Sequence, residues 1–162
     1  LTITSAPVNR NNLRVVMEKY GPKIQEAIKT YMGEAGINAT GQTASSVYSN
    51  IFETTNSIGI AVGGSKSFAT LHTGRRKGAK APPSTSIEAW MEAKGIGPSS
   101  GRSLKSAAFL IARAIGENGY KGRNISYQAS LRIMNALLTD SSAAYIKDIE
   151  QHIKNSTSKN VN

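Results

Sequence analysis

The sequence predicts an α+β domain: a long N-terminal helix, a β-hairpin or small antiparallel sheet, a basic loop, and then three to four helices. Three observations predict it. Apolar residues recur at helical spacing over 13–32. They alternate with other residues over 47–62. They return to helical spacing beyond residue 85. The order helix, hairpin, basic loop, helices is that of an α+β domain. A chain of 162 residues favours one domain. It is expected over 1–155, with an N-terminal arm at 1–9 carrying Pro7 and a flexible polar tail at 156–162.

Each element has its own signal. Leu13, Val16, Met17, Tyr20, Ile24, Ala27, Ile28, Tyr31 and Met32 trace one face of the first helix. Gly21 and Pro22 interrupt it, which predicts a kink or a break into two helices. Gly33 and Gly36 end it. Val47 to Thr55 reads as a strand with Tyr48, Asn50 and Phe52 on one face. A turn at Asn56 and Ser57 leads to a second strand, in which Ile58, Ile60 and Val62 alternate with Gly59, Ala61 and Gly63. The two glycines leave one face nearly bare, open to a neighbouring backbone or helix. One or two helical turns fit residues 65–72. Residues 73–83, TGRRKGAKAPP, read as an exposed loop.

Beyond the loop, Thr85 and Glu88 form a capping box for a second helix, with Ile87, Trp90 and Met91 as its apolar face. Gly95 ends it. Ser103 caps a third helix, with Leu104, Ala107, Ala108, Ile111 and Ile115 on one face and Gly116 and Gly119 as terminators. The last element covers about 126–154. TDSS at 139–142 marks a point where it can split, since Asp140 or Ser141 can cap a new helix.

Composition narrows the chemistry. A domain of this size buries roughly 70% of its unfolded-chain surface, so it folds without disulfide or metal. Hydrophobic residues make up 39%, below the usual share of about 45–50%. Polar ends, or surface waiting for a partner, account for the deficit. There is no cysteine, which excludes disulfides, thiolate metal sites and cysteine nucleophiles and fits a reducing compartment. No apolar run approaches the roughly 20 residues of a membrane span, and no signal peptide is expected. Twenty basic and ten acidic residues give a net charge of +10, which predicts contact with something negative.

No catalytic, metal or cofactor residues are expected. No G-x-S-x-G is present, His72 and His152 lack a second histidine at metal spacing, and GSKS (64–67) lacks phosphate-loop spacing. The acids, Asp148 among them, read as solvated helix faces. The basic loop is the strongest signal. No acid occurs in 54–87, while Lys66, Arg75, Arg76, Lys77 and Lys80 crowd fifteen positions. Such charges repel one another unless a negative partner is near. Arginine beside lysine suits phosphate or carboxylate equally. His72 fits a hydrogen-bonded or loop histidine. Trp90 is read as core, with an interface anchor as the alternative. The partner-binding candidates are therefore Arg75, Arg76, Lys77, Lys80 and Trp90.

Two segments together resemble a known family. One is FATLHTGRRKGAKAPPSTSIEAWMEAKGI (68–96): an aromatic-led turn, TGRR, a PP that starts a short tryptophan-bearing helix, then KGI. The other is LIARAIGENGYKGRNI (110–125), similar to an I-A-R-x-I … G-x-K-G-R stretch. In order and spacing they resemble the tail-completion, head–tail joining (neck, minor tail component) proteins of tailed bacteriophages. The resemblance implies a non-enzymatic virion protein, assembled in the host bacterial cytoplasm and located in the neck or tail. It would join portal or adaptor proteins to the tail tube or tail terminator as a homo-oligomeric ring, with DNA as a further contact and no membrane. The alternative is a basic DNA-binding accessory protein of phage genome packaging or replication.

Overall fold

The structure, a computed structural model, describes residues 8–37, 40–98 and 101–159. The first seven residues of the expected arm, the last three of the tail, and residues 38–39 and 99–100 lie outside the described residues. The fold is α+β, with seven helices and two small antiparallel sheets of two strands each among the described residues. Its residues group into two compact units. One comprises 1–27, 48–62 and 129–162; the other comprises 28–47 and 63–128.

The first unit draws on helix α1 (Asn11–Glu34), strands β1 (Tyr48–Glu53) and β2 (Ile58–Gly63) and helix α7 (Met134–Lys159). Met17, Tyr20 and Ile24 of α1 are buried with Ala129 and Ala144. The expected break at Gly21–Pro22 does not occur: α1 is one continuous helix with Pro22 inside it. Proline removes a single hydrogen bond, and a buried apolar stripe over two turns outweighs that loss. Gly21 is itself buried, with the Ser49 hydroxyl where a side chain would stand. The hairpin forms as expected, and Tyr48, Asn50 and Phe52 share its exposed face. The face left bare by Gly59 is covered by the hairpin's own Phe52 ring.

Asp148 is 1% exposed, against the expectation of a solvated acid. Its carboxylate accepts from the backbone N–H of Asn12 (2.9 Å) and Leu13 (3.0 Å) and from the Asn12 side chain (2.8 Å). The first turn of α1 has free N–H donors, and a side chain 136 positions away satisfies two of them. Nor does α7 split at 139–142. Asp140 does not cap a helix; it accepts from Lys19 (2.7 Å) and Tyr20 (3.1 Å). The chain turns earlier, at 131–133, before α7 runs on through Ser156, Thr157 and Ser158 to Lys159.

The second unit contains the end of α1, α2 (Gln42–Ser45), α3 (Lys66–Thr73), β3 (Gly74–Arg75), α4 (Ser84–Ala93), α5 (Leu104–Asn118), β4 (Tyr120–Lys121) and most of α6 (Ile125–Ser130). Its core is built on Ile28, Met32, Phe68, Met91, Ala108 and Ile125. α1 and α4 end alike. Gly36 and Gly95 both take φ +63. The next residue in each case, Ile37 or Ile96, donates to the carbonyl five positions back, Met32 or Met91. This Schellman ending needs the left-handed conformation that glycine supplies. Ser103 caps α5, its hydroxyl accepting from Ser106 N–H at 3.2 Å.

Two expectations fail in this unit. The Thr85–Glu88 capping box does not form. α4 starts one residue earlier, Pro83 is the capping residue, and no side chain caps it. Proline's fixed φ pre-sets the entry, and the Pro83 carbonyl already receives Ser86 N–H. Gly116 does not end α5 but lies buried within it, and the helix ends at Gly119.

Candidate partner-binding surface

The basic segment is tethered. Gly74 and Arg75 pair antiparallel with Lys121 and Tyr120. The pairing continues outward as Arg123 N–H donates to the Leu71 carbonyl (3.0 Å) and Asn124 N–H to the His72 carbonyl (3.1 Å). Thus 73–83 is not wholly a loop. Its first residues form a two-stranded ribbon with 120–121. Glycine makes the approach possible. A side chain on Gly74 would collide with Gly122 N and the Tyr120 carbonyl; one on Gly122 would strike the His72 carbonyl; one on Gly119 would strike the Arg75 carbonyl. Gly74 and Gly119 also hold positive φ, +86 and +65, where other residues are strained.

α3 supports this ribbon from below. Ser65 caps it by accepting from Phe68 N–H (3.4 Å). Phe68 is buried and stacks on His72, with centroids 6.1 Å apart. His72 Nδ1 in turn accepts from Ser126 N–H (3.4 Å). His72 is therefore a positioning element between α3 and α6, in line with the hydrogen-bonded reading.

The ribbon gathers more charge than one segment carries. Arg75 is half-buried and its guanidinium donates to the Lys80 carbonyl, so it braces the turn. Arg76, Lys77 and Lys80 are exposed, and the facing segment adds the exposed Lys121 of β4 and Arg123 just past it. Among the described residues none of the ion pairs Arg10–Glu53, Arg14–Glu53, Lys19–Asp140 and Arg113–Glu117 involves any of these six. Lys121 and Arg123 were within the quoted second segment, but nothing local marked them as neighbours of the first. Trp90 is carried by α4 and takes no part in the ribbon. It is 39% exposed, whereas Met91 beside it is 2% exposed. The core reading of Trp90 is thereby overturned, because Met91 takes the buried position. No group of three His, Cys, Asp or Glu side chains that could hold a metal is found among the described residues, and none of their helices is long and apolar enough to cross a membrane.

No family model, curated protein or solved structure matches this chain.

Proposed function

We propose that this chain is a structural subunit of a tailed-phage virion, placed at the neck or tail-completion layer between portal or adaptor proteins and the tail. One observation supports the reading above others. The two segments that carry the resemblance, 68–96 and 110–125, are one physical object: β3 of the first pairs with β4 of the second, and α4 of the first packs against α5 of the second. The backbone contact between them passes close to three glycines, Gly74, Gly119 and Gly122, so the two segments act as one unit of structure. Its outward product is a cluster of uncompensated cations, suited to docking on an acidic neighbour.

A mass-spectrometric inventory of purified particles tests the proposal. The chain is expected there at the fixed, small copy number of a ring; its presence in lysate and absence from particles would overturn the reading. Charge reversal at Arg76 and Lys77 sharpens the test, because both are exposed and Arg75 braces the turn. The double variant is expected to fold and to leave particles incomplete. The DNA-binding accessory reading has one observation in its favour, the concentration of positive charge in 28–47 and 63–128. It predicts a salt-dependent gel shift and no place in the particle.

A further inference from the structure

The basic ribbon borders an apolar cleft of about 480 Å³, within the range of about 300–1,000 Å³ typical of ligand clefts. One wall is the chain just past the ribbon, 78–84. The other is a single face of α5, from Phe109 to Glu117 at helical spacing. The walls meet at Gly116. Gly78 N–H donates to the Gly116 carbonyl at 2.9 Å, and a side chain on Gly116 would stand 3.0 Å from the Ala81 Cβ. Ala79, Ala81 and Ala112 line the cleft with small side chains, and Pro82 adds a rigid apolar surface. Phe109, also in the lining, is 58% exposed and leaves a large aromatic surface open beside the cleft.

The uncompensated charge beside the cleft is positive. Lys77 and Lys80 flank the lining residues Gly78 and Ala79. The only acid in the lining, Glu117, is already engaged by Arg113.

We infer that this cleft receives an apolar side chain of a partner protein segment whose flanking residues are acidic. Shape assigns the anchor: small side chains and an exposed phenylalanine in the lining make a slot for one large apolar group. Charge assigns the flanks: Lys77 and Lys80 oppose carboxylates on either side. Burial of an anchor in an apolar pocket with charged groups at the rim is how protein interfaces concentrate their affinity. The inference deepens the structural-subunit reading by giving the chemistry of its neighbour, but it is tested separately. Peptide binding can hold with the chain absent from particles, and the chain can be present in particles without it.

The test is selection of short random peptides displayed against the full chain, followed by photo-crosslinking from the apolar position of an enriched peptide. Enriched sequences are expected to carry one large apolar residue between aspartates or glutamates, and crosslinks to fall within 78–84 or 109–117. Phe109→Ser and the Lys77→Glu/Lys80→Glu pair are each expected to weaken that peptide about tenfold or more. All three positions are exposed, so the fold should hold, and crosslinking on the unaltered chain does not depend on it. Crosslinks elsewhere, or peptides without acids, would overturn the inference. A duplex DNA probe bound in a salt-dependent way, with no peptide enriched, would overturn it too and give the surface to nucleic acid.

Discussion

The two units differ in what they do with charge. In the unit formed by 1–27, 48–62 and 129–162, eight basic residues face six acidic ones, a net of +2. There three of the acids are engaged by the fold. Glu53 meets Arg10 and Arg14, Asp140 holds Lys19, and Asp148 caps α1. In the unit formed by 28–47 and 63–128, twelve basic residues face four acidic ones, a net of +8. Its ribbon is fixed by backbone contact at glycines and leaves its cations to solvent. A chain with net charge +10 is therefore not uniformly basic. One unit uses opposite charges to hold itself together; the other holds itself by close packing and leaves its charge exposed.

That contrast can be broken at its strongest point. Gly74→Ala should cost about 1–2 kcal/mol for the left-handed backbone and about 1–3 kcal/mol more for overlap with the facing strand, read as a lowered midpoint in urea. Gly78 also has positive φ, +75, but nothing within 4 Å of its side-chain position. Gly78→Ala should therefore lose only the first of these terms. Equal losses at both sites would show that close packing does not hold the ribbon.

Asp148→Ala tests the other mode of support. Loss of a buried charged hydrogen-bond partner typically costs about 1.5–3 kcal/mol. Hydrogen exchange should accelerate first at Asn12 and Leu13, whose N–H groups lose their acceptor. Unchanged exchange there would mean the carboxylate is not the effective cap.

A smaller effect follows from Asp140. The hydrogen bond from Lys19, aided by one from Tyr20, holds its carboxyl below the ordinary value near 3.8. A carboxyl lowered on folding adds stability above its unfolded pKa, lost as pH falls through the folded one. The partner effect raises Lys19 above 10.5, through the same hydrogen bond to Asp140. That contribution is complete below the unfolded pKa and fades as pH rises through the folded value. Melting curves from neutral to strongly acid pH should therefore show a steeper decline for the unaltered chain than for Asp140→Asn. Parallel curves would remove this pair from the account of the unit's stability.

A last contrast is expected at Trp90. Trp90 is 39% exposed, so Trp90→Ala should lose less than truncation of a fully buried tryptophan, for which about 3–5 kcal/mol is typical. Met91→Ala, which opens a core position, should lose about 2–5 kcal/mol. Similar losses at both would return Trp90 to the core.

What the sequence made legible was local. Gly36, Gly95 and Ser103 act within one helical turn, and their roles could be read from position alone. The hairpin at 48–63 was legible because period-two alternation is local too. Thr85 and Glu88 misled because Pro83, two positions before the pattern, set the helix start first. Trp90 and Met91 are adjacent apolar residues on one helix, and only packing against α5 decides which is inward. Lys121 and Arg123 join the candidate surface through a pairing between residues 45 positions apart, which leaves no periodic trace. Asp148 was illegible for the same reason. On an amphipathic helix a capping acid and a solvated acid look identical until the distant N-terminus arrives.

That distant cap also sets an order of events during synthesis. α1 is made before the carboxylate that closes its first turn, which comes 136 residues later. Two of its backbone N–H groups lack that acceptor until Asp148 has been made. The unit built from 28–47 and 63–128 has no such wait, since all its parts precede α7. Every residue of the ribbon is therefore synthesised before the acid that closes α1.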